Sequence, residues 1–162
     1  MTKPQLAIRA DTRRRIAGHL VNLASDDDAT ATQAELRLLR FGNKAIGQLL
    51  ALVGSENPRL RFRVVYLLGK TGESEVFPVV ASFVYDPDDF VRYDAVMALG
   101  YLGDPRAIPL LEELATQWDD PACVASAACM ALALLGIDYD PFWTEVLERT
   151  SYPRPAAENT TG

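Results

Sequence analysis

The sequence predicts an all-α fold, a right-handed solenoid of stacked antiparallel helix pairs. Apolar residues recur at three- and four-residue spacings along most of the chain, which is typical of amphipathic helices. A helix–turn–helix unit recurs at offsets of 30 to 33 residues, with 31 between the two clearest copies. Self-similarity at this period is typical of solenoids, in which each unit buries the side of its neighbour. No segment has the pattern of a β-strand.

The segment 86–114 is the clearest copy of this unit. Asp86 and Pro87 open its first helix, because Asp is a good N-cap and Pro suits the first helical turn. Gly103 is suited to the left-handed residue that ends the helix, and a second Asp-Pro pair starts the next helix at once. The same unit lies upstream, where four pairs of equivalent residues are each 31 positions apart: Arg61 and Arg92, Gly69 and Gly100, Gly72 and Gly103, Pro78 and Pro109.

The repeats divide the chain into one domain over residues 1–150 and a polar, Pro-rich tail. We expect the tail, residues 151–162, to be disordered. A half repeat closes the N-terminal end, preceded by a short helix or a frayed arm, and four hairpins follow, giving about nine helices. The half repeat is 12–24, and the hairpins are 30–54, 57–85, 86–118 and 120–149.

The repeated motif resembles a known family. Its pattern of (D/N)-P, VR, LG, LGD and AIP is similar to the short HEAT-like repeats of phycobilin-lyase-type proteins and bacterial HEAT proteins. The similarity extends over roughly residues 12–150 and implies a HEAT-like solenoid. It implies little about activity, because the signature residues serve caps, turns and packing.

Charge and composition restrict the classes of partner. The net charge of −6 opposes general nucleic-acid binding. The first 24 residues carry +4, whereas residues 103–148 carry −8, which fits two solvated ends, contact with a charged partner, or head-to-tail self-association. No apolar run is long enough to span a bilayer and no signal peptide is evident. We therefore expect a cytoplasmic protein without a membrane partner.

The side chains show no recognisable catalytic or metal-binding set. The single histidine, His19, is expected at the border of an apolar helix face, and Cys123 and Cys129 are expected to be small core residues. HEAT-like hydroxylases carry paired His-Glu motifs, and none is present, so the resemblance does not transfer that activity. The sequence thus predicts no metal and no cofactor, and it weighs against an enzyme.

Arg61 and Arg92 occupy the same position in successive repeats. We expect each to bond to turn carbonyls or to an acid of its own or the adjacent repeat, which would fix the register of the repeats. Alternatively, the two arginines form a short row that binds an acidic ligand.

Two surfaces are candidates for binding a partner. We expect the second helices to line the concave face, where Val79 and Leu110 would form an apolar strip suited to a partner helix or peptide, unless they are ordinary scattered surface residues. The predicted concave-face residues are Gln48, Ala51, Val79, Ser82, Leu110 and Glu113. A C-terminal aromatic group either caps the last repeat or docks a partner; it comprises Trp118, Phe142 and Trp143.

The function that these features favour is a noncatalytic adaptor or scaffold that binds another protein or peptide through the concave face. The alternative, implied by the family resemblance alone, is a bilin lyase or a chaperone of a chromophore protein. Self-association through the oppositely charged ends is a third hypothesis.

Overall fold

The computed structural model describes residues 3–117 and 123–137, with side chains from residue 9 onward. Every regular element within these ranges is helical. The α-helices are α1 (Lys3–Leu23), α2 (Asp28–Leu39), α3 (Ile46–Leu50), α4 (Pro58–Gly69), α5 (Phe77–Ser82), α6 (Asp89–Leu102), α7 (Ile108–Leu114) and α8 (Val124–Leu134). Single 3₁₀ turns precede α3, α5 and α7, and another, Phe83–Tyr85, follows α5. The prediction of an all-α solenoid is confirmed.

The helices form two layers of different character. The longer helices α4, α6 and α8 pack side by side, in chain order, and α1 packs against α2. The short helices α3, α5 and α7 are the second members of the hairpins, and α5 and α7 each pack against the following long helix. One continuous core of aliphatic side chains lies between the layers, and Leu68, Leu99, Leu111 and Leu132 are fully buried in it.

Local signals account for the starts of the long helices. The side chain of Asn57 caps α4 by accepting a hydrogen bond from Arg59 N at 2.9 Å, as the sequence predicts. The predicted start of α6 is wrong by a few residues. Asp88, rather than Asp86, is its N-cap and accepts from Phe90 N at 3.0 Å, because the carboxylate of Asp86 is held by an arginine of the preceding repeat.

Glycines make the tight joints that the repeats require. Gly42, Gly72, Gly103 and Gly136 have φ values of 52°, 69°, 72° and 77°, in the left-handed region that residues with a Cβ adopt at a cost. Each follows the first helix of its hairpin, which lets the chain reverse within a few residues. The predicted role of Gly103 as a helix terminator is confirmed.

Two further glycines set the spacing of the long helices. A Cβ added to Gly69 would lie 2.7 Å from the Cβ and carbonyl oxygen of Ala98, and one added to Gly100 would lie 2.8 Å from the Cα of Ala131. These distances are far below van der Waals contact. The backbones of α4, α6 and α8 therefore approach one another more closely than any larger residue at these positions would permit.

Several local predictions need correction. Helix α1 is one continuous helix of 21 residues rather than a short helix followed by a second one. Cys123 is exposed and has a φ of 54°, so it is not a core residue, while Cys129 is half-buried. The last predicted helix and the tail lie outside the described residues. Within residues 3–117 and 123–137, no helix combines the length and the apolar character needed to cross a membrane.

Candidate functional site

The arginines of the central repeats form an internal ladder. Arg61 donates from Nε and Nη2 to both carboxylate oxygens of Asp86, at 2.8 and 2.7 Å, and from Nη1 to Ser55 O at 2.9 Å. Hydrogen bonding to Asp86 raises the pKa of Arg61. Arg92 repeats the design, donating to Asp86 O at 2.9 Å and to the Asp89 carboxylate at 2.7 Å. The predicted ladder is confirmed, so these two arginines are occupied by the fold.

The second helices present less apolar surface than the sequence suggests. Val79 and Leu110 are half-buried and pack against the core, and Gln48 is half-buried. Ala51, Ser82 and Glu113 are exposed. The predicted strip is thus partly absorbed into the core, and its binding role stays a prediction. Three aromatic residues of the C-terminal candidate site lie outside the described residues: Trp118, Phe142 and Trp143.

A different surface gathers acidic and aromatic side chains, and we call it the acid–aromatic face. It runs across α2, α4 and α6 and comprises Glu35, Tyr66, Lys70, Asp94 and Tyr101. Positions on α4 and α6 that are 31 residues apart contribute to it, since Lys70 and Tyr101 are such a pair. The first helices of the hairpins therefore carry a group of polar and aromatic side chains of their own.

The carboxyl of Asp94 is the most perturbed group on this face. Its side chain is half-buried, and it makes no hydrogen bond or ion pair with another described residue. Burial, together with the nearby charge of Glu35, raises the pKa of Asp94 to about 6. A partly desolvated carboxyl next to a second acid is destabilised when ionised. An added cation would relieve that destabilisation, which makes Asp94 a candidate for ligand binding.

Glu35 connects this face to a buried arginine. Arg63 is 5% exposed; its Nη2 donates to Asp28 at 2.9 Å, and its Nε lies 3.7 Å from the Glu35 carboxylate. Burial raises the pKa of Glu35, Arg63 opposes that rise, and Asp28 adds to it. Asp28 is the nearer partner of Arg63, so Glu35 is only partly neutralised.

Two tyrosines and a lysine complete the face. The rings of Tyr66 and Tyr101 meet edge to face, with centroids 6.0 Å apart. Lys70 Nζ lies 3.3 Å from the Tyr101 ring centroid and 5.5 Å from that of Tyr66. This is cation–π geometry. Burial, then the charges of Glu35 and its neighbours, raises the pKa of Tyr66, so the phenol remains protonated at neutral pH.

Family models identify the repeats. The model for HEAT repeats matches residues 16–100, 47–133 and 78–149, which together cover most of the chain. The chain is a HEAT-repeat protein. The resemblance inferred from the motif is confirmed at this level.

Relatives of this HEAT-repeat protein carry the name of an enzyme. It is 32% identical over 97 residues to deoxyhypusine hydroxylase-B of Oryza sativa subsp. japonica, a match covering 58% of this chain and 31% of that protein. It is 30% identical over 115 residues to deoxyhypusine hydroxylase of Candida albicans (strain SC5314 / ATCC MYA-2876), covering 68% and 35% respectively. The chain therefore spans about a third of the length of the curated relatives it matches.

A solved structure has the same fold. Human deoxyhypusine hydroxylase in complex with glycerol matches with a TM-score of 0.61, at 22% identity, over 91% of this chain and 49% of that one. These relatives correct the functional predictions. The noncatalytic adaptor and the bilin lyase are both contradicted, because the proteins similar to this one are named as hydroxylases. The inference against an enzyme is wrong for the same reason.

The described residues do not include a cluster of side chains suited to binding a metal ion. Within the part of the chain that the structure describes, no group of three or more His, Cys, Asp or Glu side chains could hold a metal ion. His19 lies on α1 with its ring 6.0 Å from that of Phe41, away from the acid–aromatic face. Glu35 and Asp94 are two carboxylates without a nitrogen ligand beside them. These two residues alone therefore do not form a site for a transition-metal ion.

Sequence reasoning missed the acid–aromatic face because it assigned the binding surface to the second helices. A signal was available. Arg63 and Asp94 are 31 residues apart, at equivalent positions of α4 and α6, where a helix in the middle of a stack would ordinarily carry apolar residues. A charged residue repeated at a position next to the core indicates either an internal ion pair or a ligand site.

Proposed function

We propose that this HEAT-repeat protein acts in the hydroxylation of a deoxyhypusine-type substrate, and that its acid–aromatic face binds the cationic amine of that substrate. The names of the curated relatives support the substrate class. The chemical step is not assigned to the described residues, because they do not provide the metal ligands. Their part in the reaction is to bind and orient the amine.

The observation that carries this proposal is the pair of half-buried carboxyls, Asp94 and Glu35. Asp94 has no cation partner among the described residues, and Glu35 shares Arg63 with Asp28. A protonated amine between these carboxyls would gain charge–charge attraction in a partly desolvated site, where such attraction is stronger than in water. The Tyr101 ring is already occupied by the ammonium of Lys70, so the two carboxyls rather than the tyrosines would bind the amine.

Isothermal titration of the full chain with a deoxyhypusine-containing peptide tests the proposal. The same peptide with acetyl-lysine in place of deoxyhypusine is the neutral control. We expect Asp94→Asn to weaken binding by about tenfold, since a hydrogen bond to a charged partner contributes about 1.5–3 kcal/mol. Asp26→Asn removes an equal charge from an exposed turn and should leave the affinity unchanged. Equal affinities for wild type and Asp94→Asn would refute the amine site.

Protonation of Asp94 provides a second test of the same site. Because its pKa is raised to about 6, the carboxylate is ionised at pH 7 and largely protonated at pH 5, while an aliphatic amine stays charged at both. Binding should therefore weaken as the pH falls through 6, and Asp94→Asn should lack this dependence. Mass spectrometry for one added oxygen on the peptide, with a redox-active metal ion, dioxygen and a two-electron reductant supplied, separately tests for hydroxylation.

A further inference from the structure

A groove between α1 and α2 has the opposite character to the acid–aromatic face, with which it shares no residue. It consists of two adjoining cavities of about 360 and 770 Å³. Both cavities are lined by His19, Asn22 and Arg37, so they form one continuous trough. We call this trough the basic groove.

Helical spacing places the polar groups of the basic groove on facing sides. On α1, Arg15, His19 and Asn22 follow one another at intervals of four and three residues, which puts them on one face of the helix. On the α2 side, Gln33, Arg37 and Arg40 have the same spacing. The two helices pack directly against each other, so the two rows face one another across the trough.

The arginines of the groove are not neutralised by the fold. No carboxylate lines either cavity. Among the described residues, Arg15, Arg37 and Arg40 form no ion pair, whereas every described arginine from Arg59 onward lies within 4 Å of a carboxylate oxygen or has a carboxylate hydrogen bond. Three positive charges therefore lie along a concave surface with no ion-pair partner among the described residues, and positive charge of this kind attracts anions.

We propose that the basic groove binds an extended acidic segment of a partner polypeptide. Thr30 to Arg40 span about 15 Å at the rise of an α-helix, which matches about four or five residues of extended chain. Guanidinium groups recognise carboxylates through paired N–H donors. The amides of Asn22 and Gln33 can each donate to and accept from a peptide backbone. The groove thus carries groups for both the acidic side chains and the main chain of such a segment.

An RNA strand fits the groove less well. Single-stranded nucleic acid is held by aromatic rings on which bases stack. Besides His19, the only aromatic residue among the described ones that lines the two cavities is Phe41. Its ring is already covered, because its centroid lies 6.0 Å from that of His19 and 5.6 Å from Cζ of Arg15.

Fluorescence anisotropy with the full chain tests this inference. The probe is a labelled peptide containing a run of about five Glu residues, the length set by the groove, and the same peptide with Gln is the control. We expect binding that weakens with added salt and that falls about tenfold in Arg37→Gln/Arg40→Gln, from the loss of two exposed ion pairs with the peptide. Arg37→Lys/Arg40→Lys should retain part of the affinity, because charge remains while the planar fork is lost.

A matched control separates the groove from the overall charge. Arg14→Gln/Arg59→Gln removes the same number of charges outside the groove and should change the affinity by less than about twofold, because salt screens charges that do not contact the peptide. The inference fails if both double variants weaken binding equally, if the Glu and Gln peptides bind alike, or if wild type binds neither. It also fails if a short oligouridylate binds more tightly than the Glu peptide with the same dependence on Arg37 and Arg40.

Discussion

The central repeats and the N-terminal end use arginine in different ways. In the repeats, the guanidinium of Arg61 lies between two turns and is bonded to both oxygens of Asp86. At the N-terminal end, Arg37 and Arg40 line an open groove without a described carboxylate partner. The partner of Arg61 comes from the loop before the next repeat, so the neighbouring repeat decides the role of the residue. An arginine with such a partner holds the stack together, and one without it remains available to a ligand.

The largest difference in stability between the two regions should follow from removing the Asp86 carboxylate. Asp86→Ala leaves the largely buried guanidinium of Arg61 without its two side-chain acceptors, which should lower the free energy of unfolding by about 3 kcal/mol. Arg37→Ala, at the groove, should change it by less than about 0.5 kcal/mol. Urea denaturation followed by circular dichroism measures both. Similar midpoints for the two variants would show that the ladder does not hold the repeats.

Glycine substitutions in the central repeats and at the N-terminal end should also have opposite effects on stability, because the two regions are packed differently. Gly69→Ala puts a Cβ 2.7 Å from the Cβ and oxygen of Ala98, and overpacking of this kind should cost about 2 kcal/mol. Gly18→Ala, within α1, meets nothing within 4 Å and should stabilise the chain by up to about 1 kcal/mol, because Ala is the better helix former. Thermal unfolding of the two variants should move in opposite directions, and a shift of the same sign in both would contradict this account of the layer spacing.

A smaller expected effect is a pH dependence of stability that arises on the acid–aromatic face. The folded chain raises the pKa of Asp94 from 3.8 to about 6, so between these values the folded state holds a proton that the unfolded state has released. This contribution to stability is present below pH 3.8 and is lost as the pH rises through 6. With allowance for solvent screening, the loss should be about 1 kcal/mol.

The variant Asp94→Asn isolates this contribution from the other carboxyls, including Asp104, whose pKa is lowered by its bonds to Arg106. The difference in unfolding free energy between Asp94→Asn and wild type should grow as the pH rises from 4 to 7. A difference that is constant with pH would mean that Asp94 is not desolvated in the folded chain.

Local features of the sequence were enough to predict much of the fold. The caps and turns follow from the residues themselves, as with Asn57 at the start of α4 and Gly103 at the end of α6. The predicted start of α6 was wrong because Asp86 is a residue type that often caps helices. In the structure its carboxylate instead accepts hydrogen bonds from Arg61 of the preceding repeat. The function was misjudged for a related reason, since the repeated signature residues report on stacking rather than on chemistry.

The acid–aromatic face could not be derived in the same way. Glu35 and Asp94 lie on α2 and α6, in different repeats, and their charges interact only through the way these helices pack around α4. The basic groove likewise depends on how α1 packs against α2. Of its three arginines, only Arg15 lies in the positively charged segment 1–24, and no local pattern singles out Arg37 or Arg40.

The sequence by itself determined the period, the helix pairs and the left-handed joints, because these depend on backbone preferences that act over a few residues. Tertiary structure alone decided which carboxylate meets which arginine, which tyrosine rings meet, and which charges stay exposed. Those outcomes depend on distances of a few ångströms between helices, and close packing sets such distances for the whole stack at once.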